Sequence, residues 1–135
     1  MTDPVNYIFE MPLKVRDYEV DSQGIVNNAN YQHYLEHTRH MFCERAGVSF
    51  RDMHLAGIDP VVRRIEIDYL HPLGLGATMI SKLALQRQGP LFVFRQDIFT
   101  LHGEPVVRAI VNIVCLEDGR LTRGEKLAEA FKDFL

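Results

Sequence analysis

The stretch that decides the fold is "VRDYEVDSQGIVNNANYQHYLEHTRHMFCERAG", Val15–Gly47. It opens as an alternating, strand-like segment, passes through a polar turn containing Asp21 and Gly24, and ends in a long helical pattern. Tyr31, Tyr34, Leu35, Thr38 and Phe42 recur at i, i+3, i+4, i+7 and i+11, one stripe of a 3.6-residue helix. Asn28 or Asn30 is placed to cap the N-terminus, and Gly47 stands where a helix ends in the left-handed conformation. The spacing predicts one helix of roughly 18 residues. One carboxylate, Asp21, falls just ahead of its start. A second, Glu36, falls about 12 Å along the axis from Asn28.

Outward from this stretch the pattern is mostly strand. Residues 8–20 read as a first strand. After the helix, "VVRRIEIDYL" (61–70) alternates, with Ile65, Ile67 and Tyr69 on one face and Arg64, Glu66 and Asp68 on the other. Further strands are predicted at 78–87, 91–101 and 105–116, separated by the Gly- and Pro-rich turns "HPLGLG", Gly89-Pro90 and His102-Gly103. The last of these is apolar on both faces for much of its length, so it belongs inside the sheet. Asp118-Gly119 marks another turn. The segment "GEKLAEAFKDFL" reads as a short terminal helix with Leu127, Phe131, Phe134 and Leu135 on one side.

Short turns between consecutive strands require antiparallel pairing. The expected architecture is therefore α+β, a curled antiparallel sheet with the long helix across one face, in a single domain over residues 1–135. Phe92, Phe94, Phe99 and Tyr69 either line a binding site or fill the core, and the core is the expected place for each. A single sheet wrapped on one helix leaves edges bare, which favours a dimer.

Composition narrows the function classes. The 135 residues are 47% hydrophobic and 24% charged, with a net charge of −3, ordinary values for a globular domain. No Lys/Arg run marks a nucleic-acid or anionic-membrane surface. The N-terminal segment lacks a basic n-region, and no stretch reaches the ~18 apolar residues of a spanning helix. Cys43 and Cys115 are far apart and read as free thiols, so a reducing, cytoplasmic setting is expected. His33, His37 and His40 share one helix side. Without an HExxH pattern or a nearby cysteine, no metal site is expected there.

The segment Asp21-Ser22-Gln23-Gly24-Ile25-Val26-Asn27-Asn28-Ala29-Asn30-Tyr31, followed by Tyr34-Leu35-Glu36 and Arg39, resembles the hotdog-fold acyl-CoA thioesterases, in particular the 4-hydroxybenzoyl-CoA thioesterase family. The resemblance implies a hotdog fold and hydrolysis of an acyl thioester, aliphatic or aromatic, to the free acid and coenzyme A. Coenzyme A would be part of the substrate, and no cofactor would be needed. It implies that Asp21 is the catalytic general base or nucleophile and that the Asn28 N–H polarises the thioester carbonyl. It places Gly24, Asn27 and Tyr31 against the substrate. A second branch of these enzymes uses a carboxylate on the central helix, which makes Glu36 the competing residue. The resemblance also implies a homodimer or homotetramer.

The chemistry fits those residue types. Thioester hydrolysis needs a group to activate water or attack the carbonyl, and donors to hold the oxyanion. The first N–H groups of a helix lack intrahelical partners and lie at its positive end. An Asx-turn or helix cap is the structural alternative for Asp21. Arg63, Arg64, Lys82, Arg87, Arg108 and Arg123 are candidates for the phosphates of coenzyme A. Other expectations are an acyl-ACP thioesterase and a non-catalytic acyl-thioester-binding module. A hotdog hydratase needs a His in the loop, where this chain has Gln23, Gly24, Ile25 and Val26.

Overall fold

The computed structural model describes residues 4–135. Its elements run β1 (Phe9–Lys14), α1 (Asn28–Arg45), α2 (Phe50–Leu55), β2 (Ile58–Tyr69), β3 (Thr78–Gln88), β4 (Leu91–Thr100), β5 (Pro105–Glu117), β6 (Arg120–Thr122) and α3 (Glu125–Ala130). The strands form one antiparallel sheet in the order β1-β3-β4-β5-β2, with β6 pairing the end of β5. Helix α1 lies across the concave face. This is the α+β hotdog arrangement expected from the sequence.

The helix forms where the apolar stripe requires it, over 18 residues. Tyr31, Tyr34, Leu35, Thr38 and Phe42 are all buried, and Leu35 is 0% exposed. The stripe packs on the inward residues of the strands. Around Leu35 these are Met79, Ile98, Val107 and Ala109; around Phe42 they are Leu83, Phe92, Phe94 and Val111. The helix also docks through polar groups. Thr38 Oγ1 meets Ser81 Oγ at 2.8 Å, and Gln96 Nε2 donates to the Leu35 carbonyl at 2.9 Å. The helix ends as a Schellman motif. Gly47, at φ +80°, donates to the Glu44 carbonyl and Val48 donates to the Cys43 carbonyl.

The outer face of the sheet carries a row of alternating charge. Glu10 pairs with Lys82, Lys82 with Asp97, Asp97 with Arg108, and Arg108 with Asp68. Opposite charges directly across strands stabilise each pairing modestly. Asp97 is buried here because the N-terminal segment crosses it. The Tyr7 hydroxyl donates to Asp97 Oδ2, and Lys82 Nζ lies 5.3 Å from the centre of the Phe99 ring.

Several boundaries differ from the sequence reading. The first strand stops at Lys14, because residues 17–19 turn into a 3-10 helix whose start is held by Arg16 N donating to Glu19 Oε1 at 2.7 Å. Helix α2, capped by the Ser49 side chain, was not expected; at six residues it is too short to show a periodic signal. Strand β2 begins at Ile58 rather than 61. Strand β6 extends the chain past the Asp118-Gly119 turn. At the C-terminus Leu127 and Phe131 are buried as expected, but Leu135 is half exposed beyond the helix. Of the four aromatic residues assigned to the core, Phe92 and Phe94 are there. Phe99 lies on the outer face against Tyr7, and Tyr69 is 45% exposed beside the start of α1.

Both cysteines are free and buried. Burial pushes the Cys43 thiol up to about 12 and also raises that of Cys115. The raised value favours the neutral thiol in the folded state. Between the unfolded thiol value, about 8.5, and 12, only the unfolded chain releases this proton, so the contribution of Cys43 to stability falls as pH rises through that window. Neither thiol should react with an alkylating reagent at pH 8 until the chain unfolds. Rapid labelling of native protein, read by mass spectrometry, would contradict this packing.

Candidate active site

The loop from Val20 to Val26 is fixed at three levels before any chemistry is considered. Its ends are bridged, Val20 to Val26, and Ile25 bridges to Gly74 of the β2–β3 connection. Inside it, Asp21 N donates to the Ile25 carbonyl at 2.8 Å and Gly24 N donates to the Asp21 carbonyl at 3.0 Å. Gly24 adopts φ +78°, a conformation that side-chain-bearing residues rarely take, so a residue without Cβ permits this tight turn.

Asp21 sits at the mouth of this loop, exposed. Its Oδ1 accepts from Gln23 N at 2.8 Å and from Ile25 N at 3.4 Å, an Asx-turn. Its Oδ2 has no partner among the described residues. The Asx-turn and a chemical role are therefore compatible, because one oxygen orients the carboxylate and the other stays available.

The helix start is capped by Asn27, not by Asn28 or Asn30. Asn27 Oδ1 accepts from Ala29 N at 2.9 Å. Asn27 N donates to the Glu19 carbonyl at 3.1 Å, and Asn30 N donates to the Asn27 carbonyl at 2.9 Å. The Asn30 side chain has a different task. Its Nδ2 donates to the same Glu19 carbonyl at 2.9 Å and ties the first turn to the segment leading into Asp21. One first-turn N–H is left over: Asn28 N has no acceptor among the described residues. It belongs to the positive end of an 18-residue helix, so it is poised to meet a developing negative charge.

Aromatic rings surround this helix start. Tyr31 is buried, with its ring centre 5.8 Å from Tyr34 and 5.6 Å from Tyr69. The Tyr69 hydroxyl lies 3.4 Å from the Asn28 carbonyl, which puts it beside the helix start, the less favoured of its two expected places. The signal missed was its position, the last residue of β2 before the His71-Pro72 turn. Burial, and then the neighbouring Glu19 carboxylate, pushes the Tyr34 phenol above its ordinary value. A cleft of about 450 Å3 lies here on the β1 side of the helix, lined by Arg16, Glu19, Asn30, His33, Tyr34 and His37 among others.

Glu36 stands apart from this assembly. It is on the opposite, β2 side of the helix, exposed, with His40 Nε2 3.6 Å from its Oε1. His33 and His37 line the β1-side cleft, whereas the His40 ring lies 4.3 Å from that of Phe50. Among the described residues no His, Cys, Asp and Glu side chains gather as a metal-binding group. Of the candidate phosphate ligands, Arg87 is engaged with the Arg123 carbonyl and Glu125, and Lys82 and Arg108 belong to the outer charge row.

The cap assignment is testable in the free protein. Asn27→Ala should lower stability by about 1 kcal/mol. Asn28→Ala should cost little or nothing, since its side chain makes no hydrogen bond among the described residues and alanine favours helix. Denaturant midpoints that ranked the two the other way would move the cap to Asn28.

Comparison with known proteins shows the family. Residues 15–132 match the family model of the thioesterase-like superfamily. The chloroplastic acyl-acyl carrier protein thioesterase ATL2 of Arabidopsis thaliana is 36% identical over 115 residues, covering 81% of this chain and 59% of the relative. The chain thus spans little more than half the length of that plant protein. The long-chain acyl-CoA thioesterase FadM of Escherichia coli is 32% identical over 107 residues, covering 78% of this chain and 80% of FadM. The crystal structure of the probable thioesterase YbaW from Escherichia coli superposes with a TM-score of 0.82 at 28% identity, covering 93% of this chain and 97% of that one. With a family match over nearly its whole length and a loop–helix site to accompany it, the chain belongs to the thioesterase-like superfamily.

Proposed function

We propose that this protein hydrolyses an acyl thioester of coenzyme A, in the manner of the 4-hydroxybenzoyl-CoA thioesterases, with Asp21 as its catalytic carboxylate. The observation that carries the reading is the pairing at the helix start: an oriented carboxylate with one oxygen unengaged, and the first-turn N–H of Asn28 unpartnered, among the described residues. The thioester carbonyl oxygen is held by Asn28 N–H. Asp21 either removes a proton from an attacking water or attacks the carbonyl carbon itself. Negative charge that builds on the carbonyl oxygen is met by the helix end. Collapse of the tetrahedral species breaks the C–S bond, and the departing thiolate takes up a proton; where Asp21 is the nucleophile, water then hydrolyses the acyl–Asp21 anhydride to the free acid and restores the carboxylate. Gly24, Asn27 and Tyr31 shape the pocket around the carbonyl. No metal or organic cofactor takes part.

Asp21 lies at the surface of the single chain, so a second subunit is needed to exclude water from it. Strand β2 supplies the means. It is an edge strand of 12 residues whose outer side has no partner among the described residues, with Val61, Val62 and Tyr69 exposed. Two copies joined there, or two such dimers, would enclose the site. We place the protein in the cytoplasm on the strength of its two free cysteines and read residues 1–135 as one hotdog domain.

Acyl carrier protein is the alternative carrier, favoured by the 36% identity to a plant protein described as an acyl-acyl carrier protein thioesterase. Thiol release in EDTA-containing buffer, measured across acyl-CoA chain lengths, one aryl-CoA and an acyl carrier protein thioester, separates the carriers. Release from none of them would remove the reading. Within that assay, Asp21→Asn should lower kcat by at least about 100-fold, the loss of about 3 kcal/mol of barrier stabilisation. Glu36→Gln should cost about tenfold or less. The reverse ranking would transfer the catalytic role to Glu36 and leave Asp21 as a turn residue.

A further inference from the structure

Arg39 is 6% exposed, yet none of the ion pairs among the described residues includes it. Its Nη1 donates to Gln96 Oε1 at 2.9 Å, and the Gln96 amide is already committed to the Leu35 carbonyl. A guanidinium has five N–H donors. Among the described residues, this one donates a single side-chain hydrogen bond, to a neutral acceptor. Burial lowers its pKa, and the Glu36 charge on the same helix, more than 4 Å away, offsets only part of that. A buried charge without a contact ion pair is unfavourable, so a carboxylate in direct contact with it would come from outside the chain.

Arg39 lines a cleft of about 370 Å3 between α1 and β2, with Ala29, Gln32, His33 and Glu36 from the helix and Val62 and Ile65 from the strand. The cleft opens beside the free edge of β2. Besides His33, it presents one guanidinium and one carboxylate, three residues apart on the same helix and not within 4 Å of each other. The Glu36 side chain is 54% exposed and touches His40 only at 3.6 Å. Such a patch is self-complementary. A two-fold axis normal to the sheet that joins two β2 edges keeps both helices on the same face and sets them antiparallel, so that residue i meets j and j meets i.

We propose that a second copy of this chain closes the cleft, and that Glu36 of each protomer is the counter-ion of Arg39 of the other. The proposal rests on the dimer through β2 argued above and assigns the side chains that hold its register. A substrate anion is disfavoured as the counter-ion. The Glu36 carboxylate that lines the same cleft would repel it.

A charge-exchange experiment tests this, using sedimentation for the dimer dissociation constant and native mass spectrometry for mixed dimers. Glu36→Arg sets like charges against each other at both ends of the interface and should weaken the dimer by at least about 30-fold. Arg39→Glu should do the same. Co-expression of the two variants should restore a mixed dimer close to wild-type strength, because both pairs are then rebuilt in reverse. Should Arg39→Glu fail to fold, the Glu36→Arg arm decides alone, since that side chain is half exposed in the single chain. A Glu36→Arg dimer as tight as wild type would overturn the pairing. So would an Arg39→Glu dimer of unchanged strength with a raised KM for thioester, which would assign Arg39 to a ligand anion. A wild-type protein that sediments as a monomer would overturn the dimer itself, and thiol release by the same sample keeps that result separate from the thioesterase reading.

Discussion

The carbonyl oxygen of Glu19 holds together the two parts of the site. It accepts the Asn27 N–H and the Asn30 side-chain amide, one from the residue that caps the long helix and one from its first turn. Glu19 is two residues before Asp21, so this acceptor fixes the distance between the carboxylate loop and the helix start. The Glu19 side chain adds a second restraint by accepting from Arg16 N. The left-handed turn at Gly24 and the bridge from Ile25 to Gly74 then leave the loop little freedom. What emerges is a surface carboxylate held beside an unsatisfied helix end, built almost entirely from backbone groups.

The same division runs through the rest of the molecule. Leu35 and Phe42 bind the helix to the sheet by apolar burial, which has no direction of its own. Thr38–Ser81 and Gln96–Leu35 supply direction, fixing where along the helix each strand sits. These contacts hold the side of α1 that faces the sheet. The side toward the β2 edge carries Gln32, Glu36 and the underpaired Arg39 instead. One face of the helix completes the fold of the single chain, and the other is suited to assembly.

The features readable in the sequence were those with long periods or obligatory geometry. The stripe from Tyr31 to Phe42 and the glycine at 47 delimit the helix, and the alternation in β2 and the turns at 71–76 and 89–90 delimit the strands. What was not readable depended on which of several equivalent residues the tertiary structure selects. Asn27, Asn28 and Asn30 are equally good caps by type. Only the position of the Glu19 carbonyl makes Asn27 the cap and turns Asn30 into a tether. Alternation through residues 8–20 could not reveal the 3-10 turn at 17–19, since its cause is a contact between Arg16 N and the Glu19 side chain. Tyr69 alternates inward like Ile65 and Ile67, but at the end of β2 the sheet face gives way to the helix start. For the site, the Asp21 loop was found by resemblance, whereas the freedom of Asn28 N and of Asp21 Oδ2 required coordinates.

The central claim is that the acyl carbonyl is bound at the start of α1 and faces Asp21. A crystal structure with a non-hydrolysable acyl-CoA analogue, its thioester replaced by a ketone, measures this directly. The account predicts the carbonyl oxygen at about 2.7–3.1 Å from Asn28 N, with its carbon about 3–3.5 Å from an Asp21 oxygen or from a water held by that oxygen. A carbonyl bound instead against Glu36, some two turns along the helix and with Asp21 turned to solvent, would contradict it.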